Sequence, residues 1–209
     1  SDVLDSENFL CLSCLNDLPH THYSQHANNP IEKLFWGRIP ISSGMCEFYF
    51  SKTSIVQNLI HELKYKSNKA IGNYLGTLMG SSMLNSNRFK NIDALIPLPL
   101  FEKKEEIRGY NQAQILCEGI ASVTNIPIIS KNVIRKIPTE TQTKKGRIQR
   151  WENVSETFSV LNPNELEGRH ILLVDDVITT GATLEACGAE ILKANNTKLS
   201  IATLAIATK

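Results

Sequence analysis

Hydrophobic positions along the chain change period several times, and each change marks an element. Residues 44–50 (GMCEFYF) are rich in side chains that suit a strand. Ser54 stands where a helix N-cap belongs, and Ile55, Val56, Leu59, Ile60 and Leu63 then fall on one helical face. A second helix follows, with Ile71, Tyr74, Leu75, Leu78, Met79 and Met83 on its apolar side. From residue 92 strand and helix alternate. IDALIPL reads as a buried strand closed by Pro97 and Pro99. NQAQILCEGIASV reads as a helix with Ile115, Leu116, Gly119 and Ile120 inward, and NVIRKI as a short strand. HILLVD is an unbroken apolar run of the kind found at the centre of a parallel sheet. Residues 182–194 form a helix with Leu184, Cys187, Gly188, Ile191 and Leu192 inward, and LSIATLAIAT is a last strand. The alternation predicts an α/β fold with a mostly parallel central sheet flanked by helices on both faces. Ligands of such folds bind beyond the carboxyl ends of the strands. Two stretches stand apart. Residues 1–35 lack regular apolar periodicity and read as an N-terminal arm before a main domain at 36–209. Residues 138–155 are polar and charged and read as a long loop.

Composition changes little in this picture. The chain has 209 residues and a formal net charge of +1. That is enough for one substantial domain, with no global basic field to draw nucleic acid or a membrane. No apolar run reaches the roughly 18–20 residues that span a bilayer. The N-terminus lacks the basic start and apolar core of a signal peptide, so the expected location is the cytoplasm, with no membrane partner. Of five cysteines, Cys46, Cys117 and Cys187 are scattered, and only Cys11 and Cys14 are spaced like metal ligands.

The chemistry concentrates in residues 171–183, ILLVDDVITTGAT. A strand delivers Asp175 and Asp176 to the carboxyl edge of the sheet. Thr179, Thr180, Gly181, Ala182 and Thr183 follow, and a helix begins there. Small residues at a helix N-terminus expose backbone N–H groups, the helix dipole adds partial positive charge, and threonine hydroxyls add donors, all of which suits a phosphate. Two carboxylates would repel a phosphate. They suit a ligand whose hydroxyls lie next to it, because an ionised carboxylate only accepts hydrogen bonds. Ribose 5-phosphate has this layout. The plainer alternative is an acidic pair that merely closes a strand before a turn.

The same residues resemble the phosphoribosyl pyrophosphate (PRPP) signature of type I phosphoribosyltransferases. Three further stretches narrow the resemblance to the ComF/GntX family of competence-type proteins: HELKYKSNKAIGNYLG (61–76), DALIPLPL followed by RGYNQAQ (93–114), and RKIPTETQTKKGRIQRWENVSETF (135–158). The resemblance runs from about Cys11 to the last strand. It implies a type I phosphoribosyltransferase fold with a small N-terminal hood. It also implies ribose hydroxyls on Asp175 and Asp176 and the 5-phosphate on Thr179 through Thr183. The loop that begins Pro97-Leu98-Pro99-Leu100 would face pyrophosphate, often through an unusual peptide bond.

Displacement of pyrophosphate calls for cations, and PRPP is expected with Mg²⁺. Arg135 and Lys136 end a strand and are candidates for the pyrophosphate. Behind them, Lys144, Lys145, Arg147 and Arg150 belong to what the resemblance implies is a mobile loop closing over PRPP; a solvated basic loop is the alternative. Arg108 is a further candidate for pyrophosphate, and Asn111 for a helix cap. His61, Lys64 and Tyr65 match the family but lie on an amphipathic helix, where a structural role is the simpler reading. Cys11 and Cys14 form half of a zinc site, a remnant of a zinc-ribbon-like module. The family places a second C-x₂-C upstream. Completion by His20, His22, His26 or Cys46 has no familiar spacing, and two reduced cysteines without Zn²⁺ are the preferred reading.

Three functions follow. The first is a phosphoribosyltransferase acting on an unidentified acceptor. The second is a PRPP or nucleotide sensor without transfer activity. The third is an accessory factor in DNA uptake that meets single-stranded nucleic acid near Trp151. A homodimer is the candidate assembly. No P-loop, dinucleotide or acyl-hydrolase motif competes with these readings.

Overall fold

The apolar run at the heart of the chain becomes the central strand β5 (His170–Ile178). A computed structural model describes residues 10–66, 68–136 and 157–207. In it β5 lies between β2 (Ala94–Pro97) and β6 (Lys198–Ala207), with β1 (Gly44–Phe50) outside β6, and all neighbours run parallel. Beyond β2 the ladder gains one more rung, where Leu95 N–H donates to Pro127 and Ile129 N–H donates to Leu95, both at 2.9 Å.

Because successive residues of a strand face opposite sides, β5 builds two cores. Leu172 and Val174 join Leu95, Ala202 and Leu204 under the helices α3 (Ile55–Tyr65), α4 (Lys69–Leu84) and α6 (Gln112–Thr124). Ile171 and Leu173 join Ile96, Leu199 and Ile201 under α2 (Pro30–Phe35) and α7 (Ala182–Ile191). This second side also holds an antiparallel pair, β3 (Val133–Arg135) and β4 (Phe158–Val160). The α4–α6 contact is backbone against backbone: a Cβ on Gly119 would lie 2.1 Å from the Asn73 carbonyl oxygen.

The predicted caps are present. Ser54 accepts from Gln57 N–H to start α3, and Asn111 accepts from Ala113 N–H to start α6. Residues 18–35 lie along β1, through Thr21 N–H to Glu47 and Tyr49 N–H to Pro19, both 2.9 Å. Asn29 holds this segment together. It caps α2, and its amide donates to the carbonyls of Tyr23, His26 and Gly44 at 3.0, 2.9 and 2.7 Å.

Three elements differ from the sequence reading. β5 does not stop at Val174 but runs through both aspartates to Ile178, because its ladder with β6 continues through Asp175–Thr203 to Ile178–Ile206. Residues Glu102–Arg108 form a helix, α5, that buries none of its residues and so has no apolar period to announce it. The polar stretch around Asn29 opens a helix with Pro30 in its first turn, an arrangement proline favours. A short helix α1 (Leu12–Asn16) lies near the N-terminus. Among the described residues no helix is long and apolar enough to cross a membrane.

Candidate functional site

β2 ends where Pro97 pairs with Val174, while β5 continues past it. The overhang carries the acidic pair. The alternation that split the core now splits the aspartates: Asp176 shares the side of Leu172 and Val174, and Asp175 shares the side of Ile171 and Leu173. Asp176 meets Lys64 from the last turn of α3, with Nζ 2.8 Å from Oδ2. Asp175 Oδ1 accepts the backbone N–H of Asp176 at 2.8 Å. Burial pushes the Asp175 carboxyl up to about 8, and the neighbouring Asp176 charge adds to the rise; the Asp176 N–H, Lys64 and Arg135 oppose it. Arg135, at the end of β3, is half-buried with its guanidinium 5.3 Å over the Phe158 ring. Burial lowers its pKa and the charge of Asp175 counters that. Lys136 is exposed, and its backbone N–H donates to Thr157 at 2.8 Å.

The proposed phosphate loop follows directly. Thr179, Thr180 and Ala182 are exposed and Thr183 is half-buried. Gly181 opens α7 at φ +74° with no side-chain cap, so the helix N-terminus keeps its backbone donors and dipole for an anion. Only glycine suits this backbone with ease, and a Cβ there would press on the Phe35 ring at 3.0 Å. Arg38 braces the loop from the α2 side. It donates to the Thr180 carbonyl at 2.8 Å, to Leu34 at 2.9 Å and to Glu185 through Nε at 2.9 Å.

On the other flank, Leu98 N–H donates to Val174 at 2.8 Å, which seats the loop after β2 against β5. Asn111 joins that loop to α6, since its amide donates to the Leu98 carbonyl at 3.0 Å while its oxygen caps the helix. Leu98 is buried and Pro99 half-buried. Pro99, Glu102, Glu105, Lys131 and Arg135 are among the walls of a cleft of about 970 Å³. Every peptide bond among the described residues is trans. Arg108 ends α5, donates to the Gln112 side chain, and lies 5.9 Å from the Tyr65 ring.

The structure thus brings Asp175, Asp176, Arg135 and residues 179–183 to one edge, with Leu98 and Pro99 beside them. Lys144, Lys145, Arg147 and Arg150 lie outside the described residues. Two flanking cations lie outside the site that sequence reasoning draws, although Lys64 is among the residues that match the family. Lys64 reads as an ordinary polar position on an amphipathic helix, and nothing local marks Arg38. Among the described residues no group of three or more histidines, cysteines or acids is arranged to hold a metal. Cys11 accepts the Cys14 N–H at 3.4 Å. Two of the residues considered as further zinc ligands are engaged elsewhere: His20 with Glu47 at 2.9 Å, and buried Cys46 with the Phe48 carbonyl at 3.2 Å.

Residues 112–209 match the Phosphoribosyl transferase domain family. Competence protein F of Haemophilus influenzae is 31% identical over 179 residues, covering 83% of this chain and 74% of that protein. DNA utilization protein YhgH of Escherichia coli is 31% identical over 129 residues, which is 60% of this chain but only 56% of that relative. Among solved structures, the glutamine PRPP amidotransferase from B. subtilis complexed with ADP and GMP aligns with a TM-score of 0.47 and 17% identity, over 68% of this chain and 30% of that one. The matched domain begins at α6 and takes in Asp175, Asp176 and the loop that opens α7, and by its similarity to competence protein F along most of both lengths the chain belongs to the ComF-type phosphoribosyltransferase family.

Proposed function

We propose that the chain binds PRPP at the carboxyl edge of its sheet and transfers the phosphoribosyl group to an acceptor still to be identified, with release of pyrophosphate. One observation supports this above the others. A single strand outruns its neighbour, presents two carboxylates on the overhang, and turns at once into a glycine-opened helix N-terminus. In this reading Thr179 through Thr183 take the 5-phosphate, and Asp175 and Asp176 take ribose hydroxyls. Leu98 and Pro99 line the pyrophosphate side, where Arg108, Arg135 and Lys136 supply positive charge. Lys144, Lys145, Arg147 and Arg150 form the covering loop, and residues 1–35 form an arm on the transferase domain at 36–209.

In the transfer, the bond between the anomeric carbon and a pyrophosphate oxygen breaks and its electron pair leaves with pyrophosphate. The acceptor's nucleophile bonds to that carbon and gives up a proton. Charge grows on the leaving group, so donors fixed in advance around it lower the barrier. Mg²⁺ bound with PRPP would neutralise part of the same charge. Asp176, with carboxylate positions left open beside Lys64, would supply a hard oxygen donor of the kind such an ion prefers.

A second reading is a PRPP sensor without transfer activity, and the relatives' names, competence protein F and DNA utilization protein, favour a third, an accessory role in DNA uptake that meets nucleic acid. A pyrophosphate-release assay with PRPP, Mg²⁺ and a panel of bases, amines and glutamine separates them. Release that vanishes in the Asp175→Asn/Asp176→Asn double variant supports the transferase. Tight PRPP binding without release for any acceptor supports the sensor. Failure to bind PRPP at all refutes both and leaves the nucleic-acid role. The double variant is expected to lose PRPP affinity while keeping its fold; if it unfolds, the pair is structural.

A further inference from the structure

We propose that Lys64 belongs to the phosphoribosyl site as a positioning residue, which fixes the Asp176 carboxylate for a ribose hydroxyl. The inference rests on the reading above that this edge takes a phosphoribosyl group.

Two adjacent acids resist being charged together, and burial adds to that resistance at Asp175. On this overhang each acid has its own cation on its own side of the sheet. Arg135 bears on Asp175 from β3, and Lys64 pairs with Asp176 from α3. The Lys64–Asp176 pair spans 2.8 Å, and its side chains are only 22% and 13% exposed. It is therefore shielded more than a surface ion pair and behaves as a charge-assisted hydrogen bond. Lys64 occupies Oδ2 alone. An ionised carboxylate offers about four lone-pair positions, so room remains for a hydroxyl donor. Lys64 also bears on Asp175, whose charged form it favours.

An incidental ion pair needs no scaffold, but the residues on either side of Lys64 are both held. The Tyr110 hydroxyl donates to the carbonyl of Leu63, the residue before it. The Arg108 guanidinium lies 5.9 Å from the ring of Tyr65, the residue after it. Tyr110 itself carries the Lys69 ammonium 5.3 Å over its ring. The RGYNQ motif thus brackets the end of α3 at the position that carries Lys64. The two motifs that the phosphate and acid signature leaves unexplained, HELKYK and RGYNQ, meet at this point.

The test is an NMR titration of the full chain, reading amide shifts against ribose 5-phosphate and, separately, inorganic phosphate. Lys64→Met is expected to weaken ribose 5-phosphate by at least about tenfold, the scale of one lost charge-assisted contact, and inorganic phosphate by less than about threefold. Lys64→Arg should recover most of the sugar-phosphate affinity. If Lys64→Met proves unfolded in its amide spectrum, Tyr110→Phe makes the same comparison, with the same selective loss in smaller measure. Equal losses for both ligands would show that Lys64 serves the fold or the general field. Unchanged affinities would show that the ion pair is incidental. Both results overturn the inference and leave the phosphoribosyl reading standing. A wild-type chain that binds neither ligand overturns that reading, and the inference with it.

Discussion

Replacing Gly181 by alanine puts two separate loads on the phosphate loop, and their sizes can be worked out. The residue sits at φ +74°, ψ 0°, in the left-handed region where an L side chain costs about 1–2 kcal/mol. A Cβ there would stand 3.0 Å from Phe35 Cζ and 3.1 Å from Cε1. That ring is 1% exposed, so it must give way inside a packed core, at about 1 kcal/mol. Alanine also narrows the unfolded ensemble, which returns about 0.4–1 kcal/mol. The net expectation is a loss of about 1–2.5 kcal/mol, or a Tm lower by roughly 2–10 °C in a chain of this size. Urea unfolding measures it. The informative comparison is the same substitution in a Phe35→Leu background, where the ring is gone and only the backbone strain is left. There Gly181→Ala should cost about 1 kcal/mol less, a coupling that a double-mutant cycle resolves. Equal costs in the two backgrounds would refute the packing argument, and a Gly181→Ala protein as stable as wild type would refute both parts.

Two further outcomes follow from features away from that loop. Asp175 in the folded chain keeps its proton up to about 8, whereas an unfolded carboxyl releases it near about 4, so between those values the folded state binds the extra proton. Its contribution to stability is therefore fullest below the ordinary carboxylate range and falls as pH rises toward 8. Asp175→Asn should gain stability over wild type by an amount that grows through that window and then levels off; a difference independent of pH in urea melts would contradict this. Asn29→Ala strips a side chain that is 4% exposed of its cap and of its donors to three carbonyls. Its expected cost is about 3 kcal/mol, and a loss below about 1 kcal/mol would show that the N-terminal segment is held by other contacts.

Much of the fold is legible because its signals are local. The period of α3, its Ser54 cap, the Asn111 cap of α6 and the apolar run of β5 each lie within a short window of sequence. The same holds for Asp175, Asp176 and the phosphate loop, which are contiguous. What escapes the sequence is what another part of the chain supplies. β5 passes through two aspartates that read as its end, because β6 continues to offer it hydrogen bonds. α5 buries no side chain and so lacks the pattern that would reveal it. Lys64 and Arg38 look like solvated surface on their own helix and turn; their partners, Asp176, Thr180 and Glu185, come from the far end of the chain.

The overhang of β5 also governs which changes in chain length the protein can absorb. The part of β5 that carries the two aspartates is held by its rungs with β6, from Asp175–Thr203 to Ile178–Ile206, and not by β2, whose last rung lies below them. Residues can be inserted or removed in the stretch after Leu98 without moving either acid. A single residue deleted from β6 before Thr203 disturbs the strand that holds them. It obliges the ladder to shift by one place, and a shift of one place in a strand exchanges its two faces. Lengthening is thus tolerated on the β2 side of the edge, while the β6 side is fixed to the residue.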